Sequence, residues 1–148
     1  MRKLLIIPVL FLTLMVENSA WGKWKKITEK ENGTSYVEFK SIRQNGGYVY
    51  FWQMIDYKKP SRLGDMSANI HNQGDCKSFR IKGLSWLFYK EPMGKGAPNN
   101  RLGWTWYKNP TNGKDSVLKD PSHEWVSPPP KSMDETVLKS VCAFVRNK

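Results

Sequence analysis

The sequence predicts a single α+β domain in which one C-terminal helix packs on a face of an antiparallel β-sheet. Segments rich in β-branched and aromatic residues, separated by Gly- and Asn-containing turns, are typical of strands and fill the middle of the chain. After Pro128-Pro129-Pro130 the hydrophobic period becomes that of an amphipathic helix. The length of 148 residues suits one domain, and 39% hydrophobic residues argue against a disordered chain.

The first 20 residues have the pattern of a secretory signal peptide. Arg2 and Lys3 precede the apolar stretch 4–16, and small residues lead to Ala20, near which we expect cleavage. A membrane anchor is the alternative, but 13 apolar residues are well short of the roughly 20 that a spanning helix needs. We therefore expect a mature domain over 21–148, periplasmic or secreted from a bacterium, with no integral membrane segment.

The first strands of the mature chain are expected to include a hairpin. An edge strand is predicted over 21–27 and a second strand over about 34–40. Asn45-Gly46-Gly47 is a strong turn signal, and the long strand 48–57 follows it.

The strand 48–57 has apolar residues on both faces, because side chains alternate along a strand. Val49, Phe51 and Ile55 share one face, and the other face has Tyr48, Tyr50, Trp52 and Met54. This pattern predicts a central strand covered on both sides. One helix can cover only one face, so the loops of 91–127 or a second subunit must cover the other, and a homodimer is one expectation.

Beyond this strand the prediction alternates between loops and strands. Residues 60–75 are polar and rich in turn residues and are expected to form a long loop. A strand is predicted over 77–90 with a bulge at Gly83, because the apolar residues change phase there. Irregular structure is expected over 91–130, interrupted by a short strand at 103–107.

The C-terminal helix is predicted to begin at a capping box. The Ser132 hydroxyl can accept from the backbone of Glu135, whose carboxylate reaches back. An amphipathic stripe follows, consisting of Val137, Leu138, Val141, Phe144 and Val145. Cys142 lies beside that stripe, and we expect the stripe to face the sheet.

The two cysteines allow a single pairing, Cys76 to Cys142, and an exported protein favours a disulfide. A metal site is the competing interpretation. It is disfavoured because His71 and His123 are far apart in sequence and no closely spaced Cys or His ligand pair is present.

The formal charge of +11 belongs mainly to the mature domain. Removing the two basic residues and one acidic residue of the signal leaves 22 basic and 12 acidic residues, a net charge of +10. Export and the absence of a recognition motif argue against nucleic acid as a partner. An envelope or extracellular protein or polyanion is expected instead.

No sequence motif for catalysis, phosphate binding or a cofactor is present, so the chain is interpreted as a non-enzymatic binding or interaction protein without cofactors or metal. The competing hypotheses are a surface adhesin and a small enzyme whose site forms only in three dimensions. Pairs such as His71 with Asp75, or Asp115 with Asp120, would be its candidates, although exposed loop positions are the simpler reading.

The candidate ligand-binding residues combine cations with flat aromatic rings in the 90–107 region. They are Lys90, Arg101, Trp104, Trp106 and Tyr107. The alternative is that Trp104 and Trp106 fill a small satellite core. Because they are two residues apart, they would be buried or exposed together on a strand.

Several short motifs in order resemble the surface-adhesin protein E family of exported bacterial domains. The matching residues are Trp24, Tyr36-Val37-Glu38, Ser41-Ile42, Val49-Tyr50-Phe51-Trp52, Asp56-Tyr57-Lys58, Asp75-Cys76, Trp125-Val126-Ser127-Pro128 and Cys142. The resemblance covers most of residues 24–145, whereas the segment between Glu91 and His123 is longer than the family pattern.

The resemblance implies a curved antiparallel sheet backed by a C-terminal helix and tied by a Cys76–Cys142 disulfide. It also implies either a role at the cell surface, as a homodimeric adhesin for host matrix proteins, or an unassigned periplasmic role.

Overall fold

The computed structural model describes residues 23–99 and 124–148, and between these ranges the backbone of two short strands, 106–108 and 115–117. The expected signal peptide lies outside the described residues. Within the described ranges, no helix is both long enough and apolar enough to cross a membrane.

The core of the fold is an open, antiparallel, six-stranded sheet with the order β1-β2-β4-β5-β6, in which β3 also pairs with β4. The strands are β1 (Lys25–Lys30), β2 (Gly33–Val37), β3 (Arg43–Asn45), β4 (Tyr48–Tyr57), β5 (Ser67–Asp75) and β6 (Arg80–Tyr89). A separate pair, β7 (Trp106–Lys108) with β8 (Asp115–Val117), lies in the intervening segment. Helix α1 (Met133–Arg146) ends the chain. The predicted α+β class is confirmed.

The predicted hairpin turn is present at Gly46 and Gly47. Both have positive φ values, 58° and 81°, which glycine adopts without steric strain and which a two-residue hairpin turn requires. The turn joins β3 to β4, whereas the strand expected over 34–40 ends at Val37. The reason is that β2 pairs with one end of β4 and β3 with the other, so a 3₁₀ turn at Phe39–Ser41 carries the chain between them.

The loop predicted over 60–75 is present over 60–66, but its second part was wrong, because β5 occupies Ser67–Asp75 in the centre of the sheet. Its polar side chains are satisfied inside the protein. Asn72 Nδ2 donates to Gln53 Oε1 at 2.8 Å, and Gln53 Nε2 donates to Ser35 Oγ at 3.1 Å. Buried amides that bond to one another can occupy a central strand, although they read as loop residues in the sequence.

The predicted bulge in β6 is confirmed beside Gly83. His71 of β5 pairs with Ser85, but Asn72, the next residue, pairs with Gly83. Leu84 is therefore the extra residue, and the side chains after it change face. As a result, Trp86 and Phe88 lie on the same face of the sheet as Ile81.

Helix α1 begins at its predicted cap and packs through its predicted stripe. Ser132 Oγ accepts from the backbone N–H of Glu135 at 3.1 Å, and the Glu135 carboxylate accepts from the N–H of Lys131 at 2.6 Å. Val137, Leu138 and Val141 are fully buried. Gly74 lets Leu138 approach β5 closely, because a Cβ at that position would be 2.8 Å from the leucine methyl.

The Cys76–Cys142 disulfide is present, with Cα atoms 5.6 Å apart and a sequence separation of 66. It joins the turn after β5 to the helix. The disulfide lies at one hydrophobic core between the helix and the sheet, in which Cys142 is a member and against which Cys76 packs. The core is formed by Val37, Ile42, Val49, Phe51, Ile81, Val137, Leu138, Val141 and Cys142.

Candidate binding surface

The two faces of the sheet differ in what covers them. Val49, Phe51 and Gln53 of β4 lie on the helix side and are at most 4% exposed. The alternate residues of β4 lie on the opposite face, which no helix of the described ranges covers. We call this surface the aromatic–basic face; it consists of Arg43, Tyr48, Tyr50, Trp52, His71, Arg80, Lys82 and Trp125.

A series of aromatic rings crosses the aromatic–basic face. The rings of Trp52 and His71 are stacked, with centroids 4.9 Å apart and planes 19° from parallel. Tyr50, which is one cross-strand pair further along the face, has its ring centroid 6.4 Å from that of His71. These side chains are only half-buried. Tyrosine, tryptophan and histidine suit such a surface, because each combines an apolar ring with a polar atom that can remain hydrated.

Trp125 extends the aromatic series from outside the sheet. Its neighbour Val126 forms a bridge to the outer edge of β6, with the two N–H···O distances to Ile81 at 2.8 and 2.9 Å. This bridge places the Trp125 ring 5.3 Å from that of Tyr48. The residue before a bridged residue points to the other face, which explains why Trp125 and Val126 lie on opposite sides of the sheet.

Two cations lie against the Trp125 ring. The guanidinium of Arg80 is 4.8 Å and the ammonium of Lys82 is 4.7 Å from its centroid. Arg80 also donates to the buried carboxylate of Asp75 at 3.1 Å, so its charge is compensated. No ion pair joins Lys82 to another residue of the described ranges, and its ammonium contacts the Trp125 ring on this face.

A polar row crosses four strands in the middle of the face, Arg43–Tyr50–Gln73–Lys82. Gln73 Nε2 donates to the Tyr50 hydroxyl at 2.9 Å, which fixes the phenol ring. Arg43 donates to the carbonyls of Lys40 and Ile42 at 2.7 and 2.9 Å, so its guanidinium is held at one end of the row. The row therefore has a cation at each end and a fixed tyrosine between them.

Burial lowers the pKa of His71, because the charged imidazolium is penalised more than the neutral ring. At neutral pH His71 is therefore uncharged and stacks on Trp52 as a flat ring. Its protonation at a pH below this lowered pKa would add a positive charge to a surface that already has Arg43, Arg80 and Lys82.

One end of this side of the sheet is covered by a 3₁₀ turn at Pro92–Gly94. The N–H of Met93 donates to an Asp56 carboxylate oxygen at 2.7 Å, and the N–H of Gly94 donates to Ser67 Oγ at 2.9 Å. The turn covers Met54, which is fully buried. The aromatic–basic face begins beyond this covered end.

Of the candidate ligand-binding residues predicted from the sequence, only Lys90 has a described side chain, and it is not part of the aromatic–basic face. Lys90 instead pairs with the buried carboxylate of Asp65 at 3.0 Å and donates to the Leu63 carbonyl, which holds the 61–65 turn. Arg101 and Trp104 lie outside the described residues. Trp106 and Tyr107 belong to β7, and only their backbone is described.

The two residue pairs considered for catalysis, His71 with Asp75 and Asp115 with Asp120, gain no support from the described residues. His71 stacks on Trp52 while Asp75 binds Arg80, so the two are not brought together. The side chain of Asp115 is not described, and Asp120 lies outside the described residues. Within the described ranges, no group of three His, Cys, Asp or Glu residues is arranged to hold a metal ion.

Sequence reasoning missed His71 and Trp125 as members of this surface. The sequence indicates Trp125 only as a residue of the family motif, and it places His71 in a segment that is predicted to be a loop. One signal was available in β4 itself. Its helix-facing residues include Val49 and Phe51, whereas the other face has Tyr48, Tyr50 and Trp52, which suit partial exposure.

Solved structures of protein E from Haemophilus influenzae are similar to this chain. One has a TM-score of 0.57 at 14% sequence identity and covers 85% of this chain and 88% of that chain. A second crystal form gives 0.54 at 15% identity, covering 82% and 88%. Protein E from a non-typeable strain gives 0.51 at 17% identity, covering 82% and 78%. At these identities the similarity shows the fold alone.

The family comparison agrees with the structural one, whereas no curated protein sequence matches the chain. The family model described as surface-adhesin protein E matches residues 24–143, which span both cysteines, the whole six-stranded sheet and most of α1. This chain therefore belongs to the surface-adhesin protein E family.

Proposed function

We propose that this chain is an exported, non-enzymatic binding protein of the bacterial envelope that acts as a surface adhesin, with the aromatic–basic face as its contact surface. The observation that supports this proposal most is the partial exposure of Tyr50, Trp52 and His71 on a sheet face that no described helix covers. A monomeric protein rarely leaves such a surface open without a partner. Family membership supports an adhesin, and the signal-like first 20 residues support export.

The chemistry of the face indicates an extracellular protein segment with acidic and apolar residues as the ligand. The rings provide flat contact area, and such residues dominate the energy of protein interfaces. Arg43 and Lys82 provide charge at both ends of the polar row. Charges of this kind steer an acidic partner and are screened by salt.

The test compares charge reversals on and off the face. Immobilised extracellular-matrix extract is exposed to the purified mature protein at low and high salt, and the retained protein is quantified. We expect Lys82→Glu to reduce retention about tenfold at low salt, because it places a negative charge where an acidic ligand docks. The matched control is Lys59→Glu, an exposed lysine just after β4 at the covered end of the sheet.

Equal retention of both variants would contradict the proposed contact surface. The double variant Trp104→Ala, Trp106→Ala belongs in the same assay, because it measures the contribution of the candidate residues that the sequence predicts.

A homodimer that uses the face remains a prediction. Analytical ultracentrifugation of the wild type and Lys82→Glu tests it, since a dimer through this face would dissociate in the variant.

A further inference from the structure

A groove lies on the helix side of the sheet, beyond the N-terminal end of α1. It has a volume of about 290 Å³, close to the lower end of the range for small-ligand sites. We call it the acid-mouthed groove. Its walls are mainly apolar and come from three strands and the 124–129 segment, with Ile55, Ile70, Ile81, Trp86, Phe88 and Val126 among them.

The walls are pre-formed by the packing of the sheet. The β6 bulge turns Trp86 and Phe88 into the groove, where their rings stack with centroids 6.0 Å apart. Ile70 is 2% exposed and forms part of the base. Val126 is 50% exposed, although it is bridged to β6, so one wall has an apolar side chain still open to solvent.

Two buried amides provide polarity inside the groove. Asn72 and Gln53 are 4% and 1% exposed, and both line it. Asn72 uses its Nδ2 to donate to Gln53 at 2.8 Å. The indole N–H of Trp86, which also lines the groove, is buried and has no acceptor in the described ranges, so it can donate to an oxygen atom of a ligand.

Two carboxylates lie at the mouth. Asp134, in the first turn of α1, accepts from Gln53 Nε2 at 3.4 Å, and Glu124 is exposed at the rim. Among the residues that the structure describes, no lysine or arginine lines the groove. This is notable in a chain with 24 basic and 13 acidic residues, because the groove has the charge opposite to that of the protein as a whole.

We propose that the acid-mouthed groove binds a small amphiphilic cation, with its apolar body against the side chains of Trp86 and Ile70 and its ammonium group near Asp134. The ammonium is a donor only, so it matches the carboxylates of Asp134 and Glu124. A carboxylate ligand would meet repulsion at the same place. This site is independent of the aromatic–basic face, since it lies on the other side of the sheet and has the opposite charge.

The experiment titrates three probes of nearly equal shape into the ¹⁵N-labelled mature protein. The probes are phenethylamine, the neutral phenethyl alcohol and 3-phenylpropanoate. NMR follows the indole N–H of Trp86 and the side-chain amide of Asn72. We expect phenethylamine to bind about tenfold more tightly than the alcohol, as one charge-assisted hydrogen bond implies, and the carboxylate to bind more weakly still.

Variants separate the ionic preference from the apolar site. Asp134→Asn keeps an acceptor for Gln53 but removes the charge, so the preference for the amine over the alcohol should fall several-fold, and Glu124→Gln should reduce it less. Glu91→Gln, an exposed acid outside the groove, is the matched control and should leave the preference unchanged. Val126→Trp should fill the groove and weaken all three probes.

Three outcomes would overturn the proposal. They are equal affinity for the amine and the carboxylate, shifts that avoid both Trp86 and Asn72, and no binding of any probe. None of them affects the proposed function, because retention on matrix extract is measured on the opposite face.

Discussion

The two faces of the sheet are built from alternate residues of the same strands, yet they have different chemistry. On the helix side, Phe51 is fully buried and Val49 is 4% exposed, and both pack against α1. On the aromatic–basic face, Tyr50 and Trp52 of the same strand are half-buried. The comparison indicates that one face stabilises the fold and the other is available for a partner.

The largest effect is expected from the disulfide, which holds the helix on its covered face. Cys76→Ser with Cys142→Ser should lower the free energy of unfolding by about 4 kcal/mol, because the open chain regains the entropy of a long loop. Urea unfolding of the oxidised wild type and the double variant measures the difference. A loss under about 1 kcal/mol would mean that the helix stays docked without the bridge.

A matched pair of truncations tests the division between the faces. Leu138→Ala should lower the free energy of unfolding by about 3 kcal/mol, because it leaves a cavity between α1 and Gly74. Lys82→Ala on the aromatic–basic face should lower it by at most about 1 kcal/mol, the worth of an exposed cation–π contact. Thermal and urea unfolding give both values. Comparable losses would show that both faces are structural.

The smallest effect concerns pH and His71. Burial lowers the pKa of His71 below 6.5, so the unfolded chain binds this proton more readily than the folded protein. Stability from this group is fully present above pH 6.5 and is lost as the pH falls through the lowered pKa. The variant His71→Phe keeps the ring stacked on Trp52 but cannot titrate.

The urea midpoint should therefore fall less in His71→Phe than in the wild type between about pH 7.5 and about pH 5. Above neutrality the wild-type and variant curves should run parallel, because His71 is then uncharged in both the folded and the unfolded chain. An identical pH dependence in both proteins would show that His71 titrates as freely as it does in the unfolded chain.

Local patterns predicted the parts of the fold that depend on local chemistry. The helix from Met133, its Ser132 cap and the Gly46-Gly47 turn each follow from short-range hydrogen bonds or backbone preference. The β6 bulge was readable because the apolar residues change phase at Gly83. The disulfide followed from having only two cysteines in a chain whose first 20 residues predict export.

Long-range polar contacts explain what could not be predicted. Strand β5 appears too polar for a central strand because its Asn72 is satisfied by Gln53, which is distant in the sequence. The aromatic–basic face depends on the cross-strand register that stacks His71 on Trp52. It also depends on the bridge that brings Trp125 over Arg80 and Lys82. No short sequence pattern within one segment specifies contacts between residues that are so distant in the sequence.

Site-specific photo-crosslinking tests the central claim most directly. A photo-reactive phenylalanine analogue replaces Tyr50 on the aromatic–basic face or Lys139 on the exposed side of α1. Each protein is irradiated on extracellular-matrix extract, and the crosslinked products are quantified. The account predicts a crosslinked partner from position 50 and none above background from position 139. Crosslinking from position 139 alone would contradict it and place the contact on the helix side.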